Sequence, residues 1–397
     1  MCRPATLQYM RIAYCTTLRL PSERARAFQV AKVVEALRDN GHTVEIFCPV
    51  VQGSSMQTFE SYYNLSAPIR LHYLGRTDPF HVRGIPASLA RIISTILFRR
   101  NLRHALDRHA REFDIVYTRS IELLPSLVSR RLPVILELDH IPSKRQRSLI
   151  RLLRRCRLIV ALTSHLRQAI IEMGVASVPV IVEGDAVDLH DFTSLPSAED
   201  TRESLGILTG RPLIVYAGQL ETMGLSRGVP DLLSALRTLH ARGLDFSAVI
   251  AGGPESARKK YEATVGDVLK NHIRFLGRID HVKVPTLLSS ADVLVYPAPA
   301  SVHPFFLRDH SPLTMLEYMA AARPIVCADI APLRDIVDET YVTFVPAGDP
   351  EALADAIRAV LSDRDPAEKK AQLLRSHVEQ FTWERRMERI VRAAERK

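Results

Sequence analysis

Cysteine is scarce and unpaired in this 397-residue chain: Cys2, Cys15, Cys48, Cys156 and Cys327 are odd in number, widely spaced and without a C-x-x-C pair. A disulfide framework and a zinc site are thereby excluded, no metal is expected, and a reducing compartment is implied. Long apolar runs are also missing. No window approaches the ~18 uncharged apolar residues of a spanning helix, and residues 1–10 lack the apolar core of a secretory signal. The expected setting is cytoplasmic, peripheral at most on the inner face of a membrane. Aromatic residues make up 6% of the chain and none falls in the basic run 144–157 (KRQRSLIRLLRRCR), so the stacking platforms that hold nucleic acid are absent.

What is present is globular: 47% hydrophobic and 24% charged residues, over a length that calls for two cores at roughly 150 residues each. The net charge of +9 is uneven. Residues 1–190 hold 27 Lys+Arg against 16 Asp+Glu, and the remainder holds 26 against 28. All the positive excess is therefore N-terminal.

Short β-branched runs alternate with amphipathic stretches, which predicts βαβ units and mainly parallel sheets, and the pattern occurs twice. Strands are expected at 11–15, 43–48, 114–117, 133–138, 158–162 and 178–182, then at 212–216, 247–251, 273–276, 293–296, 324–327 and 342–345. Residues 184–200 are acidic and turn-rich without apolar period. The resulting division is an N-terminal domain 1–188, a linker 189–205, a C-terminal domain 206–377 and a charged helix 378–397 packing back toward the first domain.

The first βαβ unit narrows the class. A helix over 23–39 carries Val30, Val33, Val34 and Leu37 on one face and stops at Asn40-Gly41. The turn before it, residues 16–22 (TTLRLPS), contains no glycine, so the G-x-G-x-x-G turn of a dinucleotide site is missing and a nicotinamide dehydrogenase is excluded.

The sharpest signal is RDHSPLTMLEYMAAARPIV at 308–326. Ser311 as N-cap and Pro312 at the first helical position predict a helix start whose Leu313 and Thr314 amides are free to hold a phosphate. Glu317 follows one turn later among Leu313, Leu316, Ala320 and Ala321. A carboxylate on an apolar face needs a partner, which a ribose diol or an arginine would supply. Asp309, eight residues earlier, faces either the transferred sugar or solvent.

These residues resemble glycosyltransferase family 4, whose hallmark is two acids with seven residues between them ahead of an E-A/Y-M-A-x-G-x-P-V-V-like stretch; here Asp309 and Glu317 precede Tyr318 to Val326. Residues 216–220 (YAGQL) with Arg227-Gly228-Val229 are similar to the family's phosphate loop. VIAGGP at 249–254, FLG at 275–277, the crossing IVEGDAVDLHDF at 181–192 and LPSERARAFQV at 20–30 complete the order. The resemblance implies the GT-B fold, with two Rossmann-like domains facing across a cleft. It also implies a retaining hexosyl transfer from a nucleoside-diphosphate sugar to an acceptor hydroxyl, without a metal or other cofactor. The acceptor would be a glycan, lipid-linked or phosphorylated, or a small molecule.

The resemblance places Gly218, Gln219, Arg227, Gly252, Gly253, Arg278, Ser311, Leu313, Thr314 and Glu317 around the donor. Asp309, Glu317, His140 and Arg227 become the catalytic set, with Arg227 as the cation facing the leaving diphosphate. Four departures stand out. Asp309 replaces the usual glutamate, Gln219 stands where arginine is frequent, Asp139-His140 inverts the family's histidine-aspartate order, and Ala322, which reads as minor packing, replaces a glycine. A degenerate partner subunit and another nucleotide-sugar enzyme such as an epimerase stay open beside the transferase.

The basic half carries a helix over 87–110 with Leu89, Ile92, Ile93, Ile96 and Leu97 on one stripe and Arg91, Arg99, Arg100, Arg103 and Arg108 around it. Such a surface either faces the core with solvated arginines or lies on anionic lipid.

Overall fold

The structure is a computed structural model that describes residues 9–22, 25–50, 58–75, 86–109, 112–130, 132–142, 146–301, 303–309 and 312–396. The chain divides into two compact units, Met1–Gly184 with Trp383–Lys397, and Asp185–Thr382. The first holds β1 (Arg11–Cys15), β2 (Thr43–Pro49), β3 (Arg70–Leu74), β4 (Ile115–Thr118), β5 (Val134–Leu138), β6 (Leu158–Ala161) and β7 (Val180–Val182), a parallel sheet in the order β3-β2-β1-β4-β5-β6-β7.

The second unit holds β8 (Leu213–Ala217), a small antiparallel hairpin β9 (Glu221–Thr222) and β10 (Leu225–Ser226), then β11 (Ser247–Ala251), β12 (Ile273–Gly277), β13 (Val293–Tyr296), β14 (Ile325–Asp329) and β15 (Thr343–Pro346). Its six-stranded parallel sheet runs β12-β11-β8-β13-β14-β15. Each unit is therefore Rossmann-like. Strands such as VILEL and SAVIA are buried along their whole length, because helices cover both faces of a parallel sheet. β3 (RLHYL) had no such run to announce it. It is an edge strand, with Arg70 and Tyr73 exposed.

The helix Ala25–Asp39 buries Val30, Val33, Val34 and Leu37 as its spacing predicts, and Gly41 turns the chain at φ 90°. Three expectations are corrected. Residues 189–205 are no free linker: Asp188 caps a 3-10 turn Leu189–Phe192, Ser197 caps a helix Ala198–Ser204, and Leu189, Phe192 and Leu205 pack on the second core. The acidic, turn-rich composition reflects these caps. Residues 378–382 stay with the second unit, and the last helix begins at Trp383. On the helix Ala87–His109, the core side is Ala90, Phe98, Leu102 and Leu106, while Leu89, Ile92, Ile96 and Leu97 are exposed. The expected core stripe thus faces outward.

The helix Trp383–Glu395 packs against Ala25–Asp39 and is locked by a buried ion pair. Arg386 is 1% exposed, and its Nη2 lies 2.8 Å from Oε1 of Glu137, which is fully buried in β5. Arg119 Nη1 reaches the same oxygen at 3.2 Å, and the Tyr117 hydroxyl donates to Oε2. Burial alone would raise the Glu137 pKa; the charges of Arg119 and Arg386 and these hydrogen bonds outweigh it and hold the value below the ordinary one.

Ala322 closes the helix Leu313–Ala321 in the left-handed region, at φ 49° and ψ 47°. It is a cap and not minor packing. An L side chain there costs about 1–2 kcal/mol that glycine avoids. Ala322→Gly should therefore raise the free energy of unfolding by about 0.5–1 kcal/mol, measured by urea denaturation.

Candidate functional site

In the second unit, β8 pairs with β11 along its whole length but with β13 only at Ile214 and Val215. The carboxyl ends of β8 and β13 then separate, which is the switch point where such sheets bind ligands. Tyr318, buried on the helix Leu313–Ala321, occupies the gap. Its hydroxyl accepts from the Ala217 amide at 2.8 Å and donates toward the carbonyls of Val295 and Ala217 at 3.2 and 3.3 Å. Burial raises its pKa far above the ordinary tyrosine value, so it stays a neutral donor.

Around this clamp the strand-end loops knit together. The Gly218 amide donates to Ala251 O at 2.9 Å, Gly252 to Gly277 O at 2.7 Å, and Leu220 to Gly253 O at 2.7 Å. Gly252 has φ 144°, and a Cβ placed on it would lie 1.7 Å from Gly218 O, so no other residue fits. A Cβ on Gly218 would lie 3.5 Å from Thr314 Oγ1, which puts this loop against the start of the helix.

Pro312 is the residue ahead of that helix, at φ −87° and ψ 65°, not its first turn; its carbonyl takes the amides of Met315 and Leu316 at 2.9 and 3.3 Å. Among the described residues no backbone carbonyl accepts from Leu313 or Thr314. Ser311 lies outside the described residues. Gly218, Gly252, Gly253, Leu313 and Thr314 thus form one backbone-lined cradle, with exposed Gln219 beside it and exposed Arg278 beyond the end of β12.

Arg227 is 9% exposed; Nη2 donates to the Tyr296 hydroxyl at 3.1 Å, and the guanidinium lies 5.0 and 5.7 Å from the ring centres of Phe305 and Phe306. These three aromatic residues carried no sequence signal, because their role depends on the fold alone. The extra residues ahead of Arg227 are the β9–β10 hairpin, pinned by Glu221 to Lys260 at 2.9 Å and to the Tyr261 hydroxyl at 2.8 Å. Glu317 is 14% exposed with Oε1 3.3 Å from Nε2 of His281, so its partner is a histidine where an arginine was the alternative to ribose. Asp309 ends a π-helical turn, Phe305–Asp309, and pairs with neighbouring Arg308 at 2.5 and 3.1 Å.

The first unit repeats the switch point between β1 and β4. A small, open pocket of about 50 Å³ lies there, lined by strand-end residues including Thr16, Thr17, Arg119, Ser120 and Asp139. His140 is half-exposed with Nδ1 2.6 Å from Oδ1 of Asp139, whose other oxygen holds Arg26 Nη2 at 2.6 Å. Burial works against the Asp139 carboxylate, but the hydrogen bond from His140 and the charges of Arg26 and Arg119 prevail and lower its pKa to about 2. Among the described residues no group of three His, Cys, Asp or Glu is placed to hold a metal ion.

Residues 197–376, which carry the cradle, match the profile described as Glycosyl transferases group 1. This segment belongs to that family. The chain is also similar to a D-inositol 3-phosphate glycosyltransferase of Corynebacterium urealyticum, 27% identical over 226 residues, 54% of this chain and 50% of that one. A glycogen synthase of Mycobacterium tuberculosis is 32% identical over 180 residues, 44% and 40% of the two chains. The chain thus spans about half the length of the curated relatives it matches. In fold it resembles Anabaena Alr3699/HepE in complex with UDP and glucose, with a TM-score of 0.70, 16% identity, and coverage of 97% of this chain and 99% of that one. The fold class is GT-B, with two Rossmann-like domains.

The depressed Asp139 pKa has a measurable consequence. With the folded value near 2 and the unfolded one at ~3.9, the charged form contributes about 2 kcal/mol, complete above about pH 4 and lost as pH falls through 2. Asp139→Asn should be less stable by about that amount at neutral pH, and urea unfolding curves of the two proteins should converge near pH 2.

Proposed function

We propose that the chain is a retaining glycosyltransferase that moves a hexosyl group from a nucleoside-diphosphate sugar to an acceptor hydroxyl. The observation that carries this reading is the helix start at the second switch point, where among the described residues no backbone carbonyl accepts from the Leu313 and Thr314 amides and the Gly218 loop closes against Thr314. The UDP in the complex of the Anabaena protein, which shares this fold, supports the same ligand class.

In this reading the Leu313 and Thr314 amides and the Arg227 guanidinium stabilise the charge that develops on the leaving diphosphate. Fixed donors with little solvent between them need no reorganisation as that charge forms. The rings of Phe305 and Phe306 and the Tyr296 hydroxyl hold Arg227 in place. Glu317 takes the ribose diol, exchanging its 3.3 Å contact with half-exposed His281 for two hydroxyl donors. Asp309 meets the transferred sugar, and His140 is a sugar contact within the first unit. The acceptor binds the first unit.

We also propose that the first unit rests on an anionic bilayer. Leu89, Ile92, Ile96 and Leu97 are exposed on the helix Ala87–His109, followed by exposed Arg100, Arg103 and Arg108, and each cation near such a surface contributes about 1 kcal/mol. No helix among the described residues is long and apolar enough to cross a membrane.

A thermal-shift screen against nucleoside diphosphates tests the cradle. A ligand at 100 times its Kd should stabilise the protein by about 2.7 kcal/mol. Glu317→Ala should weaken nucleotide binding by roughly 10- to 100-fold, the worth of a hydrogen bond to a charged group; unchanged affinity refutes the ribose role. Absence of nucleotide binding in the wild type would favour the partner-subunit reading. Co-sedimentation with phosphatidylserine vesicles should occur at low salt and fade at high salt. No binding at low salt rejects the bilayer.

A further inference from the structure

We propose that the first unit's pocket takes an uncharged polyhydroxyl portion of the acceptor and discriminates against a phosphate or carboxylate there. The inference rests on the transferase reading and names the acceptor's chemical class.

The basic half of the chain suggests an anion site, but the pocket itself is charge-balanced. Arg26 gives its Nη2 to Asp139 at 2.6 Å, and His140 engages the other oxygen of the same carboxylate. Arg119 is committed to Glu137 at 3.2 Å and to the Gln29 side-chain oxygen at 2.9 Å, and Glu137 is further neutralised from behind by Arg386. Glu122, a third carboxylate, accepts from the Thr17 hydroxyl at 2.6 Å. Among the described residues, each guanidinium that lines the pocket therefore already faces a carboxylate. An entering phosphate would have to compete with Asp139 and Glu137 for those cations while standing beside Glu122, and like charges at such range repel.

A sugar hydroxyl meets no such conflict, since it both donates and accepts. Carboxylate oxygens of Asp139 and Glu122 can accept from it, while Thr16, Thr17 and Ser120 offer hydroxyls. Tyr14, also on the pocket wall, is fully buried, stacks on Tyr117 with ring centres 5.4 Å apart, and its hydroxyl has no hydrogen-bond partner among the described residues. The turn 16–22 contains no glycine, so the pocket recognises its ligand through side chains.

Saturation-transfer NMR on the full chain tests this with glucose, galactose, mannose and myo-inositol against their monophosphates. At least one free polyol should bind, its monophosphate roughly tenfold more weakly, a gap of about 1.4 kcal/mol. Glu122→Gln, which keeps the shape and removes the charge, should narrow that gap, whereas Thr17→Val should weaken polyol binding. Tighter binding of the phosphates, or binding of none of the four polyols, overturns the proposal. Thermal stabilisation by UDP reports on the second unit separately. UDP binding combined with phosphate preference sinks only this inference, while polyol binding without any nucleoside diphosphate binding sinks the transferase reading.

Discussion

A parallel sheet whose first strand lies near its centre must send successive crossovers to both sides, and its two central strands part at their carboxyl ends. Both units place the reversal of strand order there, at β1 beside β4 and at β8 beside β13, although β1 and β4 stay paired to their last residues while β8 and β13 part after Val215. Backbone groups that lose their ladder partners there need others. In the second unit the Tyr318 hydroxyl serves Ala217 and Val295; in the first, Thr118 Oγ1 donates to Cys15 O at 2.8 Å and accepts from the Ser120 amide at 3.0 Å. Side chains thus take up backbone groups at the ends of both central strand pairs.

The two crevices are finished differently, and the difference is chemical. Glycines in the second unit let backbone approach backbone, as Gly252 and Gly218 do, and this packs the strand-end loops against the start of the helix Leu313–Ala321. The first unit has no glycine in its turn 16–22, so recognition falls to hydroxyls, carboxylates and guanidiniums. A backbone cradle is indifferent to most side-chain changes, whereas a side-chain pocket changes its ligand with each substitution. That contrast fits a common donor site and a variable acceptor site on one fold.

Buried charge is treated differently as well. Arg227 sits over two phenylalanine rings and against a tyrosine hydroxyl, an arrangement that holds the guanidinium in place. Arg386 is instead matched by Glu137, with Arg119 and Tyr117 completing the carboxylate's partners. The first arrangement suits a ligand site. The second joins the last helix to the sheet of the first unit, where removing either partner would strand a charge in the interior.

The legible part of this chain was its local periodicity. β1, β11 and β13 begin and end where their apolar runs do, because strands covered on both faces must be apolar throughout. β3 and the β9–β10 hairpin left no such run, since an edge strand or a two-residue strand needs little apolar surface. The stripe Leu89–Ile92–Ile96 had helical spacing yet faces outward, because periodicity reveals that a face exists and not what covers it.

By itself, then, the sequence determined the order of the core strands, the doubled α/β class, and a helix starting near Leu313 with Glu317 one turn inside it. Only the tertiary structure decided that Glu317 meets His281, that Asp309 is held by Arg308 in a π-helical turn, and that Arg386 neutralises Glu137. The physical reason is range. Propensity and spacing act over a few residues, whereas the partner of a buried charge is set by strand order and crossover direction, which bring together residues that are far apart in the chain.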